Sequence, residues 1–179
     1  MSSTSATLRV RVSKKTVEAR DICSFELLPA DGHTLPAFSA GSHIDIEVAG
    51  LTRQYSLCND PAESDRYLIA VLRDTNSRGG SKAMHALRVG DVLSISAPRN
   101  HFQLRREARR SLLLAGGIGV TPILCMAEQL APDAVDFEMH YCTRSKDRTA
   151  FVERIGAAAF ASQVHFHFDD GDAAQKLDL

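Results

Sequence analysis

Gly116-Gly117-Ile118-Gly119-Val120-Thr121-Pro122 follows Ser111-Leu112-Leu113-Leu114-Ala115, an apolar run of strand length. Glycines at such a turn let backbone amides approach a ligand closely, and a helix that starts directly after it concentrates positive partial charge there. The chemistry on offer is the holding of a pyrophosphate. Pro122 fits the first turn of a helix running through Glu128, where its missing N–H would have no partner in any case. Taken alone, the turn reads equally as a tight strand-to-helix connection without a ligand.

A second cluster lies earlier in the chain. In Arg53-Gln54-Tyr55-Ser56-Leu57, strand alternation puts Arg53 and Tyr55 on one face and Ser56 on the other, unless a twist or bend intervenes. A guanidinium fork suits a phosphate, a tyrosine ring suits a flat aromatic ligand, and a hydroxyl can donate to a ring nitrogen. The plain alternative is a trio of sheet residues with a surface arginine. Gly79-Gly80-Ser81 precedes a short helical segment from Lys82 to Leu87, so its amides and the Ser81 hydroxyl can cap that helix, hold a phosphate, or do both. Ile69-Ala70-Val71-Leu72 reads as core on residue type alone.

With Pro98-Arg99-Asn100-His101-Phe102 and Tyr141-Cys142-Thr143-Arg144 added, these blocks resemble the phthalate dioxygenase reductase family of the ferredoxin-NADP reductase superfamily, in the family's order and over nearly the whole chain. The resemblance implies a flavoprotein oxidoreductase in which NADH gives hydride to bound FMN. Electrons then pass singly to an iron–sulfur centre, serving a Rieske-type aromatic oxygenase or demethylase, or its ferredoxin. It also implies that Arg53 meets the flavin phosphate, that Tyr55 packs on the isoalloxazine, and that Ser56 lies near the reactive nitrogen. The backbone of Ala70, Val71 and Leu72 edges the ring, and Gly79, Gly80 and Ser81 complete the flavin site. Gly116, Gly117, Gly119 and Thr121 lie beside the nicotinamide or pyrophosphate, with Thr143 and Arg144 toward the adenosine. Ser56 and Thr121 are the expected catalytic residues. Two other readings stand beside this one: an FAD-dependent ferredoxin-reductase-like electron-transfer subunit, and a non-catalytic flavin-binding module.

The elements that must position these residues follow from periodicity. Leu8, Val10 and Val12, then Ile44, Ile46 and Val48, then Val92 to Ala97 alternate apolar with polar, as half-buried antiparallel strands do. Turn residues at Pro29 to Gly32, Gly50, Pro61 and Gly90-Asp91 punctuate them, which suits a small barrel. From Ser111 the rhythm changes to strand, helix, strand at Phe137 to Cys142, helix at Phe151 to Ala158 and strand at Val164 to Phe168. The expected fold is an antiparallel Greek-key flavin-binding β barrel, residues 1–106, followed by the first half of an NAD-binding α/β parallel-sheet domain, residues 107–179. The family's further strands, its Cys-Gly-Pro-like turn and its [2Fe–2S] domain do not follow in this sequence, so the cluster is expected only in a full-length form and the chain reads as a fragment or short form. Half a parallel sheet is expected to expose an edge and an apolar face.

Composition excludes several classes. An apolar content of 44% and a charged content of 24% over 179 residues are those of a globular chain with a sizeable core. A formal net charge of −1 gives no global drive toward nucleic acid or anionic membrane, although Arg105, Arg106, Arg109 and Arg110 form a local basic run that reads as a solvated linker or a docking patch. No stretch is long enough to cross a bilayer, and Met1 to Thr7 lacks a signal peptide's layout, so a cytoplasmic location is expected. Cys23, Cys58, Cys125 and Cys142 lack metal-ligand spacing and read as buried or incidental thiols. His165 and His167 share a strand face on which two imidazoles can take a metal, but sheet surface is the simpler reading, and no metal ligand is assigned.

Overall fold

The structure is a computed structural model and describes residues 7–105 and 107–177. Arg106 of the basic run and Met1 to Ala6 lie outside the described residues. The alternating segments form β1 (Thr7–Ala19), β2 (Ile22–Pro29), β3 (Ser42–Val48), β4 (Leu51–Ser56), β5 (Tyr67–Leu72), β6 (Val92–Ser96) and the short β7 (Arg99–Asn100). They make one antiparallel sheet in the order β4-β3-β6-β1-β2-β5, with β7 on β3. An isolated bridge from Leu57 to Ile69 brings the two ends of the sheet together, so it curls into a barrel. Val10, Val12, Phe25, Ile44, Ile46 and Ile69 fill the interior with no exposed surface. α1 (Gly80–Ala86) adds Met84 to that core.

Ser81 does not cap α1. The cap position belongs to Gly79, whose φ of +108° is open to glycine and costly for other residues, and no side chain bonds the free amides there. Ser81 sits inside the first turn instead, and its hydroxyl accepts the Asp74 N–H at 3.2 Å.

The second part is a parallel sheet of β8 (Arg110–Gly116), β9 (Asp136–Thr143) and β10 (Val164–Phe168) in the order β10-β9-β8. A single 3-10 turn at Gly117–Gly119 leads into α2 (Val120–Leu130), which starts two residues before Pro122 and still holds it in the first turn. α3 (Val152–Ala157) follows β9, started by a left-handed and buried Phe151. Leu113, Ala115, Phe137, Met139 and Tyr141 face the helices and are buried. The opposite face is open, with Leu112 and Leu114 exposed at 58% and 43%, and among the described residues nothing pairs with the outer edge of β8.

On that open face His140, His165 and His167 stand together. His140 Nδ1 lies 2.9 Å from His167 Nε2, and the Glu138 carboxylate approaches both His140 and His165. Among the described residues no group of three His, Cys, Asp or Glu side chains converges as a metal-holding set. The basic run is partly spoken for, since Arg110 pairs with Glu138 at 2.9 Å and Asp136 at 3.5 Å. No helix among the described residues is long and apolar enough to cross a membrane.

The two sheets share a core. Ile22, Ala40, Cys58 and Ala70 from the first part pack with Val120, Ile123, Leu124 and Ala127 of α2 in one continuous cluster. Around its rim Arg20 pairs with Asp147 at 3.5 Å and Arg148 with Asp21 at 3.6 Å, a crossed pair of exposed ion pairs whose individual contributions are small. Leu124 has no exposed surface, so Leu124→Ala is expected to lower stability by about 2–5 kcal/mol in a denaturant melt. Loss of this magnitude tests whether the shared core carries both sheets.

Burial also pushes the Cys58 and Cys125 thiols up to about 12, and the Tyr141 phenol likewise to about 12. Their protons are held more tightly folded than unfolded. The stability they contribute is therefore intact below the ordinary thiol value of 9.0 and is lost as the pH rises from there toward about 12. Melting temperature followed from pH 8 to pH 11 is expected to fall, and Cys58→Ala combined with Cys125→Ala is expected to flatten the decline.

Candidate functional site

β5 lies at the end of the strand order, and the parity of its residues decides what its free edge offers. The Cys58 amide donates to the Leu68 carbonyl at 2.9 Å, whereas the Arg73 amide donates to Asp21 of the β1–β2 turn at 2.7 Å. In an antiparallel ladder both backbone groups of a residue face the same neighbour, so Leu68, Ala70 and Leu72 face away from β2 and Ile69, Val71 and Arg73 face toward it. Past Leu68 the Leu57–Ile69 bridge turns the Ala70 amide toward Ser56 at the end of β4, and beyond Ala70 no strand among the described residues receives the edge. The N–H and C=O of Leu72 are thus left without a strand partner, a donor and an acceptor that complement a flat heteroaromatic edge carrying both.

Beside that edge, β4 presents Arg53 and Tyr55 on one half-buried face. The Arg53 side chain lies across Gly80, so closely that a Cβ on Gly80 would stand 2.6 Å from Nε and 2.9 Å from Cγ. Here a missing side chain makes room for another. The guanidinium donates to the Thr52 carbonyl at 2.8 Å and, among the described residues, pairs with no carboxylate. Burial raises the Tyr55 phenol above its ordinary value despite the lowering effect of Arg53, so the ring stays neutral. Ser56 is half-buried at the end of β4, opposite His43 in register and off the Arg53–Tyr55 face, as alternation requires. Burial, with Arg99 and His101 nearby, pushes the His43 ring below its ordinary value.

Facing the end of β5 is a cleft of about 550 Å³. One wall runs from Leu72 to Asn76, and the other combines Gly116, Gly117 and Ile118 with Thr143 and Arg144. Nothing lies within 4 Å of the Cβ positions of Gly116, Gly117 or Gly119, and Gly117 has a φ of +51°, so the turn keeps its backbone open to the cleft. The hydroxyls of the two threonines point elsewhere. Thr121 Oγ1 donates to the Ile118 carbonyl at 3.2 Å, and Thr143 Oγ1 lies 2.7 Å from Thr149 Oγ1. Both residues are buried; Thr143 lines the cleft and Thr121 sits in the first turn of α2 outside its lining, while Arg144 is exposed.

The sequence-derived residues therefore fall into two neighbouring groups. Leu72, Gly116, Gly117, Thr143 and Arg144 line one cleft, whereas Arg53, Tyr55, Ser56, Gly79, Gly80 and Ser81 gather at β4 and α1. The Ser81–Asp74 hydrogen bond ties the second group to the cleft wall. Arg20, Asp21, Arg148 and the segment Arg73 to Asn76 also line the cleft and were not legible in the sequence. Arg73 to Asn76 directly continue a strand already singled out, but the Arg20-Asp21 turn carries no motif. Of the four arginines, Arg148 and Arg20 are engaged by Asp21 and Asp147, which leaves Arg73 and Arg144 without an ion-pair partner among the described residues. An open glycine turn flanked by free guanidiniums is chemically suited to a diphosphate.

No family model matches the chain. Among curated proteins it is 60% identical over 161 residues to the vanillate O-demethylase oxidoreductase of Pseudomonas putida, covering 89% of this chain and 50% of that protein. It is 43% identical over 175 residues to the phthalate dioxygenase reductase of Burkholderia cepacia, covering 96% and 54%. Among solved structures, a phthalate dioxygenase reductase, described as a modular structure for electron transfer from pyridine nucleotides to [2Fe–2S], superposes with a TM-score of 0.90 at 43% identity over 97% of this chain and 55% of that one. The chain thus spans about half the length of the curated relatives it matches. A barrel sheet with an open β5 edge, a parallel sheet with a glycine turn facing it, and this identity agree: along nearly its whole length the chain is similar in sequence and structure to about half the length of the phthalate dioxygenase reductases and vanillate O-demethylase oxidoreductases.

Proposed function

We propose that this chain is the flavin- and nicotinamide-binding portion of an oxygenase reductase, holding FMN on the first sheet and NADH across the cleft. The observation that carries the proposal is the open backbone edge at Leu72, flanked by the Arg53–Gly80 seat and faced by the open glycine turn. The residues fit such a group. Arg53 meets the flavin phosphate, helped by the amides of Gly79 and Gly80 and by Ser81. Tyr55 packs against the ring, Ala70, Val71 and Leu72 line its polar edge, and Ser56 lies near its reactive nitrogen. Gly116, Gly117, Gly119 and Thr121 face the pyrophosphate and nicotinamide, and Thr143 and Arg144 the adenosine. A bound flavin supplies the conversion of a two-electron donor into single-electron steps, while the protein supplies position and electrostatics. The electron acceptor is an iron–sulfur centre, and the final partner a Rieske-type oxygenase or its ferredoxin. We place the division between the two binding portions at 106/107, supported by the two sheets' sharing no strand among the described residues.

The purified chain is expected to be yellow and to release FMN on denaturation; extraction and weighing of the flavin separates FMN from FAD. Arg53→Ala is expected to weaken flavin retention by about 1.5–3 kcal/mol, the usual worth of a charge-assisted contact. Gly80→Ala, which touches no phosphate through a side chain, is expected to weaken it as well by displacing Arg53. A folded, colourless protein that takes up no added flavin overturns the proposal.

Ser56→Ala is expected to slow flavin reduction by NADH more than it weakens flavin binding, because a hydroxyl at the reactive nitrogen acts on the electron-accepting atom and not on the phosphate anchor. Stopped-flow reduction in a full-length reductase measures the first effect, and flavin titration the second. Equal reduction rates at normal flavin occupancy remove Ser56 from the catalytic step.

A further inference from the structure

His85, in the last turn of α1, is assigned no role by the site described above, yet it reaches that site through a single peptide unit. Its Nε2 lies 2.9 Å from the carbonyl oxygen of Val71. A carbonyl can only accept, so Nε2 carries the proton and donates. The Val71 carbonyl faces the β2 side of β5, and in a trans peptide the N–H of the next residue points the opposite way. The amide at the far end of this peptide is Leu72 N–H, the donor on the open edge beyond the Leu57–Ile69 bridge.

The imidazole is held in place for this contact. Lys15 Nζ donates to the carbonyls of His85 and Leu87 at 2.5 and 3.1 Å, fixing the end of α1. The His85 ring meets Phe25 edge-on, with centroids 6.4 Å apart, and Lys15 stands over the same Phe25 ring. Hydrogen bonds in series strengthen one another, so a donor placed on the Val71 carbonyl makes the Leu72 N–H a stronger donor.

We propose that His85 is a positioning residue that orients and polarises the Val71–Leu72 peptide so that the Leu72 amide donates strongly to an acceptor on the flavin ring edge. The inference rests on the flavin reading and deepens it. Because a reduced ring edge carries more negative charge than an oxidised one, a strengthened donor there favours reduction as well as binding. One side chain thereby links α1, which carries Gly80 beneath Arg53, to the strand edge that meets the ring.

The test compares wild type with His85→Phe, which keeps the packing against Phe25, and His85→Gln, whose amide N–H can restore the donor. Three readouts are taken: the NMR shift of the Leu72 amide proton in flavin-free protein, the dissociation constant for FMN, and the reduction midpoint of the bound flavin. His85→Phe is expected to move the Leu72 amide upfield, weaken FMN about tenfold, the equivalent of one hydrogen bond, and make reduction harder, with His85→Gln recovering all three toward wild type. An unmoved Leu72 amide overturns the role of His85 whatever the flavin does. A moved amide in a protein that binds flavin with unchanged affinity and midpoint overturns it equally. A wild type that takes up no flavin overturns the flavin reading itself, and the three results are told apart by which readout fails.

Discussion

The apolar seam between α2 and the outside of the barrel sheet governs the rest of the molecule. Leu124 and Val120 pack against Ile22, Cys58 and Ala70 with almost no solvent between them, and the Ala40 amide donates to Gln129 Oε1 at 3.2 Å across the same seam. Close-packed interiors resist sliding, so the seam fixes where α2 begins relative to β5. The start of α2 is the glycine turn, and β5 is the strand with the open edge. A cleft between them therefore has a set width without any residue of the cleft having to hold it. The crossed pairs Arg20–Asp147 and Arg148–Asp21 sit at the solvent rim, where screening leaves them little to add beyond local orientation.

Much of this was legible because local rules and tertiary demands agreed. Alternation in β1, β3 and β6 names the residues that the barrel buries, and the change of rhythm after Ser111 locates the parallel sheet. The motif residues were legible for a different reason: glycines at Gly80 and Gly117 mark places where a side chain would collide or the backbone must turn left-handed. Pro122 marks the first turn of α2 but is compatible with several positions in it, and only the preceding 3-10 turn settles that the helix starts at Val120. Of the two uses open to Ser81, capping and phosphate holding, the fold gives the cap position to Gly79, whose left-handed φ few other residues share, and turns the Ser81 hydroxyl to the Asp74 amide.

The rest was not legible because it depends on contacts between distant segments. Nothing in Arg20-Asp21 distinguishes a cleft wall from an ordinary two-residue turn until Asp147 and Arg148 arrive opposite it. The same holds for His85, whose partner lies fourteen residues back on another element. The hydrogen bonds of Thr121 and Thr143 also depend on the fold, where Thr121 Oγ1 donates to the Ile118 carbonyl and Thr143 Oγ1 meets Thr149 Oγ1.

The pairing of β1 with β6, which sets Thr7 beside Ser96 and Val10 beside Leu93, also has a consequence for synthesis. Every element that carries the barrel side of the site, from β4 through α1, is made between those two strands. A chain emerging from the ribosome cannot close the barrel until β6 is outside, so β1 must wait through most of the first sheet's translation with one edge unpaired. During that interval β4, β5 and α1 have no closed barrel to hold them. The barrel side of the proposed site is thus complete only once β6 has emerged, whatever the order in which the motif residues themselves are made.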